Sequence, residues 1–392
     1  HKEFADAKPG TKVGSSIGMS VTRFYAEHPE YRIKPGSLRG ADLVQNWAVP
    51  EVREQKFALI KELAQNYDLD GLELDFLRFY SFFRPDESTR EQRCAIMTGF
   101  VRQVRELLDR TAQGGRRRWL CARVPCYLPT LDLLGLELRA LVDAGLDMVN
   151  ASAHYFTTQQ HDLAAIRKLV PDATLHFEMC HSTWNGPKLT EGYDVFPFRR
   201  ATPEQLQTAA HLAYARGADG ISLFNFAYYR EHGGAGRGPF GEPPFHVLKG
   251  LRDAKWLAQQ PQHWFLAPGW RAPGTKPTQV PRKVESGKTA KFILDLTPPT
   301  NGWKNDGRLR IQTVEPIVSA RFAATFNGAL LRPTDDVSEP YPNPSPSLLG
   351  TAETLRAWRV PAALLRDGAN RLDVKLETDA AAEITFLDLA VT

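Results

Sequence analysis

The stretch YDLDGLELDFLRFYSFF, residues 67–83, decides the fold of this chain because it predicts a strand with two different faces. Successive side chains of a strand point to opposite faces, so Glu73 and Asp75 share one face while Leu74 and Phe76 share the other. Two buried carboxylates are costly unless each is paired or used in chemistry. The stretch therefore predicts a core strand whose second face carries an ion-paired or functional site.

The first 260 residues repeat one pattern, in which a short apolar strand is followed by an amphipathic helix. The helix predicted over 50–67 carries apolar residues, among them Val52, Leu59 and Leu63, at helical spacing. Strands alternating with helices of this length indicate parallel β-strands joined by crossover helices. The predicted strands cover 13–21, 70–76, 119–127, 146–156, 174–181 and 218–229, and the helices that follow the first cover 90–112, 136–145, 161–170 and 202–217.

Two α/β architectures fit this alternation, a closed (β/α)8 barrel and an open doubly wound sheet. No GxGxxG turn follows any strand, which weakens the dinucleotide-binding form of the open sheet. Polar residues gather at the ends of successive strands, and in a barrel those ends converge on one mouth. We therefore predict a (β/α)8 (TIM) barrel over 1–260. Six strands are visible, so two are expected either before His1 or within the first 50 residues.

The composition changes after Trp256. Residues 261–282 are rich in proline and predict a linker. Residues 283–392 alternate in strand period, with the turn signals Asn327-Gly328 and Asp367-Gly368. We predict an all-β sandwich domain there.

Composition and charge narrow the classes of function. The 392 residues carry a net charge of only +4, and the basic run 116–118 is interpreted as a solvated loop, so nucleic acid is not an expected partner. No apolar stretch approaches the roughly 20 residues that span a bilayer, so no membrane association is predicted. No metal and no cofactor is predicted, because the cysteines lack the paired spacing of a zinc site: Cys94, Cys121, Cys126 and Cys180.

Three acids are the candidate catalytic residues. Asp75 lies at the end of its strand, where a barrel places its active site. Glu178 occupies the corresponding region of the next-to-last strand. Glu73 is expected to lie deeper, either as a functional acid or as the ion-pair partner of Arg123. We predict that Asp75 and Glu178 open onto one pocket with Glu73 beneath them.

The segment VREQKFALIKELAQNYDLDGLELDFLRF, residues 52–79, resembles the barrels of TIM-barrel glycoside hydrolases from polysaccharide-degrading bacteria, most specifically in its DG-x-x-x-D-x-x-R pattern. The resemblance implies two carboxylates flanking a glycosidic bond, no cofactor, and a secreted or periplasmic protein. In one version of it, Asp75 or Glu73 on the fourth strand works with Glu178 on the seventh, although no Asn-Glu dipeptide ends the fourth strand. In the other, Asp75 is the nucleophile and Arg78 stabilises its ionised form.

Parts of the C-terminal region, including FNGALL at 326–331 and WRVPAALLRDGANRLDVKL at 358–376, resemble the jelly-roll accessory domains of glycoside hydrolases. The resemblance implies a β-sandwich that accompanies the barrel. We expect this sandwich to brace the barrel, since no exposed aromatic platform is evident in its sequence.

The other polar and aromatic residues near the strand ends suit a sugar. Aromatic rings stack on the apolar face of a pyranose, and amide and imidazole groups bind its hydroxyls. Arg78 and Arg123 raise the prospect of an anionic sugar. The predicted stacking residues are Tyr127, Tyr155, Trp184 and Tyr228, and the predicted hydroxyl-binding residues are Asn150, His154, His181 and Asn225.

Two other functions stay open from the sequence. One is a non-catalytic carbohydrate-binding barrel, which would bind without turnover. The other is a metal-dependent barrel isomerase or hydrolase with Asp75, His154, Glu178 and His181 as ligands, although no HxH or HExxH pattern supports it. The sequence predicts no oligomeric state.

Overall fold

The computed structural model describes residues 12–13, 19–20, 22–34, 44–77, 81–185, 198–226, 244–269, 278–343, 350–378 and 381–392. The chain is divided into two units. Unit 1 comprises His1–Asn150, Lys168–Thr174 and Ala272–Thr275, and unit 2 comprises Ala151–Arg167, Leu175–Arg271 and Lys276–Thr392.

The helices and strands of the parallel sheet follow the predicted alternation from residue 50 to residue 224. The α-helices in the described residues are α1 (Arg23–Glu27), α2 (Pro50–Asn66), α3 (Arg90–Thr111), α4 (Leu128–Leu134), α5 (Leu138–Asp143), α6 (Leu163–Leu169), α7 (Pro203–Ala215), α8 (Leu248–Leu251) and α9 (Ala254–Leu257). The strands up to this point are β1 (Lys12–Val13), β2 (Met19–Ser20), β3 (Gly71–Asp75), β4 (Trp119–Pro125), β5 (Met148–Ser152), β6 (Thr174–Cys180), β7 (Ser182–Asn185), β8 (Phe198–Arg200) and β9 (Gly220–Phe224).

A parallel sheet is built from β3, β4, β5, β6 and β9 in that order. The prediction of parallel strands with crossover helices is confirmed. Among the described residues this parallel sheet has five strands. Closure into an eight-stranded barrel therefore stays a prediction. The strand predicted over 13–21 is wrong, because β1 and β2 pair antiparallel with each other. Gly14, Ser15 and Ser16, which stand between them in the sequence, are residue types that favour turns over strands.

Helix α3 of unit 1 shows how apolar spacing and capping define an element. Thr89 and Gln92 form a capping box at its start. Its buried residues include Met97, Val101, Val104 and Leu108, which recur every three or four positions and so lie on one face. Helix α2 differs from the prediction: Val52 and Ala64 are buried, but Leu59 and Leu63 are 51% and 43% exposed. The apolar stripe predicted for α2 is therefore buried only in part.

The basic run 116–118 is only partly the solvated loop that the sequence predicts. Arg116 and Arg117 are exposed, and Arg116 pairs with two exposed aspartates. Arg118 is buried, and its guanidinium donates to the Ala64 carbonyl at 2.7 Å and to Thr111 Oγ1 at 3.0 Å. These hydrogen bonds of Arg118 link the ends of α2 and α3 next to β4.

Gly145 in unit 1 is expected to tolerate no side chain. Its φ of +104° is unfavourable for other residues, and a Cβ there would lie 2.3 Å from Cγ of the buried Arg105. We expect Gly145→Ala to lower the free energy of unfolding by about 1–3 kcal/mol. The matched variant is Gly99→Ala inside α3, where a Cβ meets no atom within 4 Å. It should stabilise by about 0.5–1 kcal/mol. Urea unfolding of both variants checks the pair, and equal effects would contradict the argument.

The C-terminal strands of unit 2 form two antiparallel sheets. They are β10 (Gln262–Leu266), β11 (Arg282–Val284), β12 (Thr289–Leu296), β13 (Gly307–Thr313), β14 (Phe322–Phe326), β15 (Ala329–Leu330), β16 (Arg332–Thr334), β17 (Leu355–Val360), β18 (Gly368–Leu376) and β19 (Ala382–Val391). One sheet has the order β10-β19-β13-β17-β16, with β11 also paired to β19, and the other has the order β12-β18-β14-β15. Buried residues from both sheets share one core, including Phe292, Val374, Ile311, Trp358 and Leu389. This is the arrangement of a β-sandwich.

Both turn signals predicted for this region occur where the sequence places them. Asn327 and Gly328 have φ of +51° and +88° and join β14 to β15 as a two-residue hairpin. Gly368, with φ of +83°, begins β18. Within the predicted linker, however, 262–266 form the fully buried strand β10, which pairs with β19.

Candidate functional site

Asp75 ends β3 in unit 1, and its carboxylate is held by the adjacent strand. β3 and β4 are in register so that Asp75 lies opposite Arg123. Arg123 Nη1 lies 3.1 Å from Asp75 Oδ1 and 3.2 Å from Oδ2, and the Leu77 N–H donates to Oδ1 at 3.0 Å. The Arg123 side chain is 5% exposed while that of Asp75 is 46% exposed. A buried cation therefore orients a carboxylate that remains accessible.

Glu73 lies on the same face of β3 as Asp75, and the intervening Leu74 is buried. The buried Asn150 side chain donates to Glu73 Oε1 at 3.3 Å. The expectation that Glu73 is deeply buried does not hold, since Glu73 and Asp75 are both exposed.

Glu178, in the second half of β6 in unit 2, is buried among polar groups. The Ser152 hydroxyl, at the end of β5, donates to Glu178 Oε1 at 2.7 Å. The same Ser152 oxygen accepts the His154 backbone N–H at 3.0 Å. Ser152 was not among the predicted site residues, although the alternation of Asn150, Ser152 and His154 along one strand face was visible in the sequence. Glu178 is therefore fixed by a partner whose own orientation is also fixed.

Two predicted sugar-binding residues of unit 2 have an unusual backbone. His154 and Asn225, which follow β5 and β9, have φ of +68° and +54°. Left-handed backbone at a residue other than glycine costs about 1–3 kcal/mol and concentrates at functional sites. The His154 ring stacks on Tyr155 with centroids 4.3 Å apart, and Tyr155 lies 5.6 Å from the Phe224 ring. Tyr155 thus lies beside Phe224 at the end of β9, the residue before Asn225.

Cys180 and His181 end β6 and are both buried. Cys180 Sγ and His181 Nδ1 are 3.0 Å apart. Burial raises the pKa of the Cys180 thiol to about 12, so the thiol is neutral at physiological pH. A neutral thiol is a poor nucleophile, and this pair is better suited to support the β6 end than to act as a thiolate dyad.

For the other predicted site residues the structure gives fewer contacts or none. Tyr127 is half-buried and precedes α4, with its carbonyl accepting from the first turn of that helix. Arg78, Tyr228 and the Trp184 side chain lie outside the described residues. The prediction that Asp75 and Glu178 share one pocket stays a prediction.

A metal site and a membrane-spanning helix are both absent from the described residues. No three His, Cys, Asp or Glu side chains are arranged there to hold a metal ion. None of the helices there combines the length and apolar character needed to cross a membrane.

No family model and no curated protein matches this chain. Similar solved structures include catalytic domain 2 of the Ostrinia furnacalis Group II chitinase, at 12% identity over 53% of this chain and 76% of that chain, with a TM-score of 0.34. The GH115 4-O-methyl-α-glucuronidase BtGH115A has 10% identity over 94% and 69%, with a TM-score of 0.33. The homocysteine methyltransferase MmuM from Escherichia coli has 15% identity over 46% and 65%, with a TM-score of 0.28. At these scores the similarities decide nothing about function.

Proposed function

We propose that this chain is a glycoside hydrolase that cleaves a glycosidic bond in an oligosaccharide or polysaccharide, with Asp75 and Glu178 as its catalytic carboxylates. The observation that supports this most is that each carboxylate, near the end of a parallel strand, is fixed by a polar partner. Arg123 holds Asp75 and Ser152 holds Glu178. Catalysis requires such orientation, because a misplaced reacting group loses most of its effect.

The surroundings of the two acids suggest different roles. Glycoside cleavage needs one carboxyl group to protonate the leaving oxygen and another to attack the sugar or activate water. Asp75 is assigned the second role, because Arg123 supplies a positive charge beside the negative charge that this role requires. Glu178 then protonates the leaving oxygen. Glu73 supports the site through Asn150.

The substrate is bound, in this proposal, by polar and aromatic groups near the strand ends. Tyr155 offers a ring for stacking, and His154 and Asn225 offer hydrogen-bonding groups on a fixed backbone. Arg123 is paired with Asp75. Arg78 is therefore the main candidate to bind an anionic sugar. A neutral sugar is therefore the first substrate class to test.

Ser152 is proposed as a positioning residue for Glu178. A hydrogen bond to a charged group is worth about 1.5–3 kcal/mol, so Ser152→Ala should lower kcat roughly tenfold to hundredfold. KM should change little, and the alkaline limb of the pH–rate profile, which reports the group that must be protonated, should move because Glu178 loses its donor. A purely structural serine would instead lower the melting temperature and leave the pH profile of the folded enzyme unchanged.

The proposal is tested by reducing-sugar release from a panel of neutral and anionic plant and algal polysaccharides, together with aryl glycosides. Hydrolysis of at least one substrate, unchanged after dialysis against EDTA, is the expected result. Binding without product release would favour the non-catalytic carbohydrate-binding protein. Activity lost with EDTA and restored by a divalent metal would favour the metal-dependent alternative.

A further inference from the structure

A cavity of about 410 Å³ lies in unit 2 at the edge of the β-sandwich, and the proposed hydrolysis does not use it. Its walls come from the segment between α9 and β10, the loop between β12 and β13, and the end of β19. The volume lies within the range of pockets that hold small ligands. The side chains that line it include Gln259, Gln260, Gln262, Asn301, Trp303 and Lys304.

Trp303 gives the cavity a fixed aromatic wall. Its indole Nε1–H donates to Gln262 Oε1 at 2.6 Å, and the buried Gln262 donates from Nε2 to the Thr297 carbonyl at 3.0 Å. The half-buried indole also packs against the sandwich core. The ring is therefore held in place, and little conformational entropy is lost when a ligand contacts it.

The polar groups around Trp303 are mainly side-chain amides. Gln259, Asn301 and Lys304 are exposed, and no aspartate or glutamate side chain is among the described residues that line the cavity. An amide can both donate and accept, which matches hydroxyl groups, whereas a metal ion or a cationic ligand would require acids. A fixed indole surrounded by amides suits a ring with one apolar face and hydroxyls at its edge.

We propose that this cavity binds one or two rings of an oligosaccharide at a site separate from the hydrolytic carboxylates. The site would keep polymeric substrate attached to the protein and would raise its local concentration. A carbohydrate ligand is consistent with the proposed hydrolysis, but binding at the cavity does not require the protein to be a hydrolase. Lys304 provides one positive charge, so uronic-acid oligomers are included among the probes.

The test is isothermal titration calorimetry with cellohexaose, xylohexaose, mannohexaose and oligogalacturonides. The titrated protein carries Glu178→Gln so that no probe is degraded. We expect at least one probe to bind, Asn301→Ala to weaken that binding about threefold to tenfold, and Trp303→Ala to abolish it. The exposed amide Gln113, distant in sequence and absent from the cavity lining, provides the control Gln113→Ala.

Trp303→Ala removes an indole that packs on the core, so the milder variant Trp303→Phe accompanies it. Trp303→Phe should retain part of the stacking and weaken binding. The proposal is overturned if no probe binds, or if Asn301→Ala and Trp303→Phe bind as tightly as the parent. The outcome is independent of the hydrolysis assay: a protein that never releases sugar would refute the proposed function while cavity-dependent binding persisted.

Discussion

Replacing Glu178 by glutamine is expected to lower kcat/KM at least a thousandfold on any glycoside that the wild-type protein hydrolyses, a loss of about 4 kcal/mol of transition-state stabilisation. The amide is nearly isosteric, and its oxygen can still accept the Ser152 hydroxyl that now lies 2.7 Å from Oε1. It cannot deliver a proton to the leaving oxygen. The fold should therefore persist, with little change in melting temperature.

Asp75→Asn should cause a loss of the same size for a different reason. The amide oxygen can keep the bonds from Arg123 and Leu77, but it is neither a nucleophile nor a base. The Asp75 side chain is 46% exposed but its partner Arg123 is buried, so the variant should stay folded while losing some stability. Steady-state kinetics and thermal melts on the same preparations separate the two effects.

Matched controls are available at exposed acids with no part in the proposed site. Asp172→Asn and Glu62→Gln alter exposed carboxylates and should leave kcat/KM within about twofold. Glu73→Gln should lie between the controls and the catalytic variants, because it weakens the bond with Asn150 without altering either catalytic carboxylate. Near-wild-type turnover by Asp75→Asn or Glu178→Gln would remove that residue from the mechanism.

The repeating elements were predictable because their physical causes are local. α3 follows from its capping box and apolar spacing, and the hairpin at Asn327-Gly328 follows from two residues that accept positive φ. β10 was not predicted as a strand because proline-rich sequence lies around it. Its apolar run WFL, residues 264–266, is nevertheless typical of a strand buried on both faces.

The sequence could not show which groups become hydrogen-bond partners of a given side chain in the folded chain. Arg118 belongs to a run of three arginines, but only the close approach of the α2 and α3 ends buries it and leaves its neighbours exposed. The sequence did not show that the Ser152 hydroxyl, on the strand next to β6, is the partner of Glu178. Asn and His are residue types that adopt positive φ more often than most, but the sequence does not tell that His154 and Asn225 are the ones that do so.

The largest loss of stability is expected at Asp388, in the middle of a buried charge cluster of unit 2. Arg310 donates to it from Nε and Nη2 at 3.0 and 2.5 Å, and His263 Nε2 lies 3.0 Å from Oδ2. Arg310 also pairs with Glu339, which in turn binds Arg199. Removing one member of a buried pair costs about 3–5 kcal/mol, because the remaining charge keeps its desolvation penalty. We expect Asp388→Asn to destabilise by this amount.

The same cluster predicts how stability depends on pH. Burial alone would raise the pKa of Asp388, but the charge of Arg310 and the hydrogen bonds from His263 and Arg310 outweigh it and hold the pKa well below its ordinary value. A lowered pKa in the folded state stabilises the protein above the unfolded value of about 3.9 and loses that contribution as the pH falls further. Wild-type stability should thus fall steeply below about pH 4, and Asp388→Asn should flatten that part of the curve.

Urea unfolding from pH 3 to pH 7 checks both effects, with Asp68→Asn as the control because its pair with Arg116 is exposed on both sides. That control should change stability by less than about 1 kcal/mol. The double variant Arg310→Met with Asp388→Leu distinguishes a buried-charge penalty from lost packing. Since it removes both charges and fills the space with apolar atoms, it should be more stable than Asp388→Asn alone. A double variant that is less stable than the single one would show that the charges themselves stabilise this sheet.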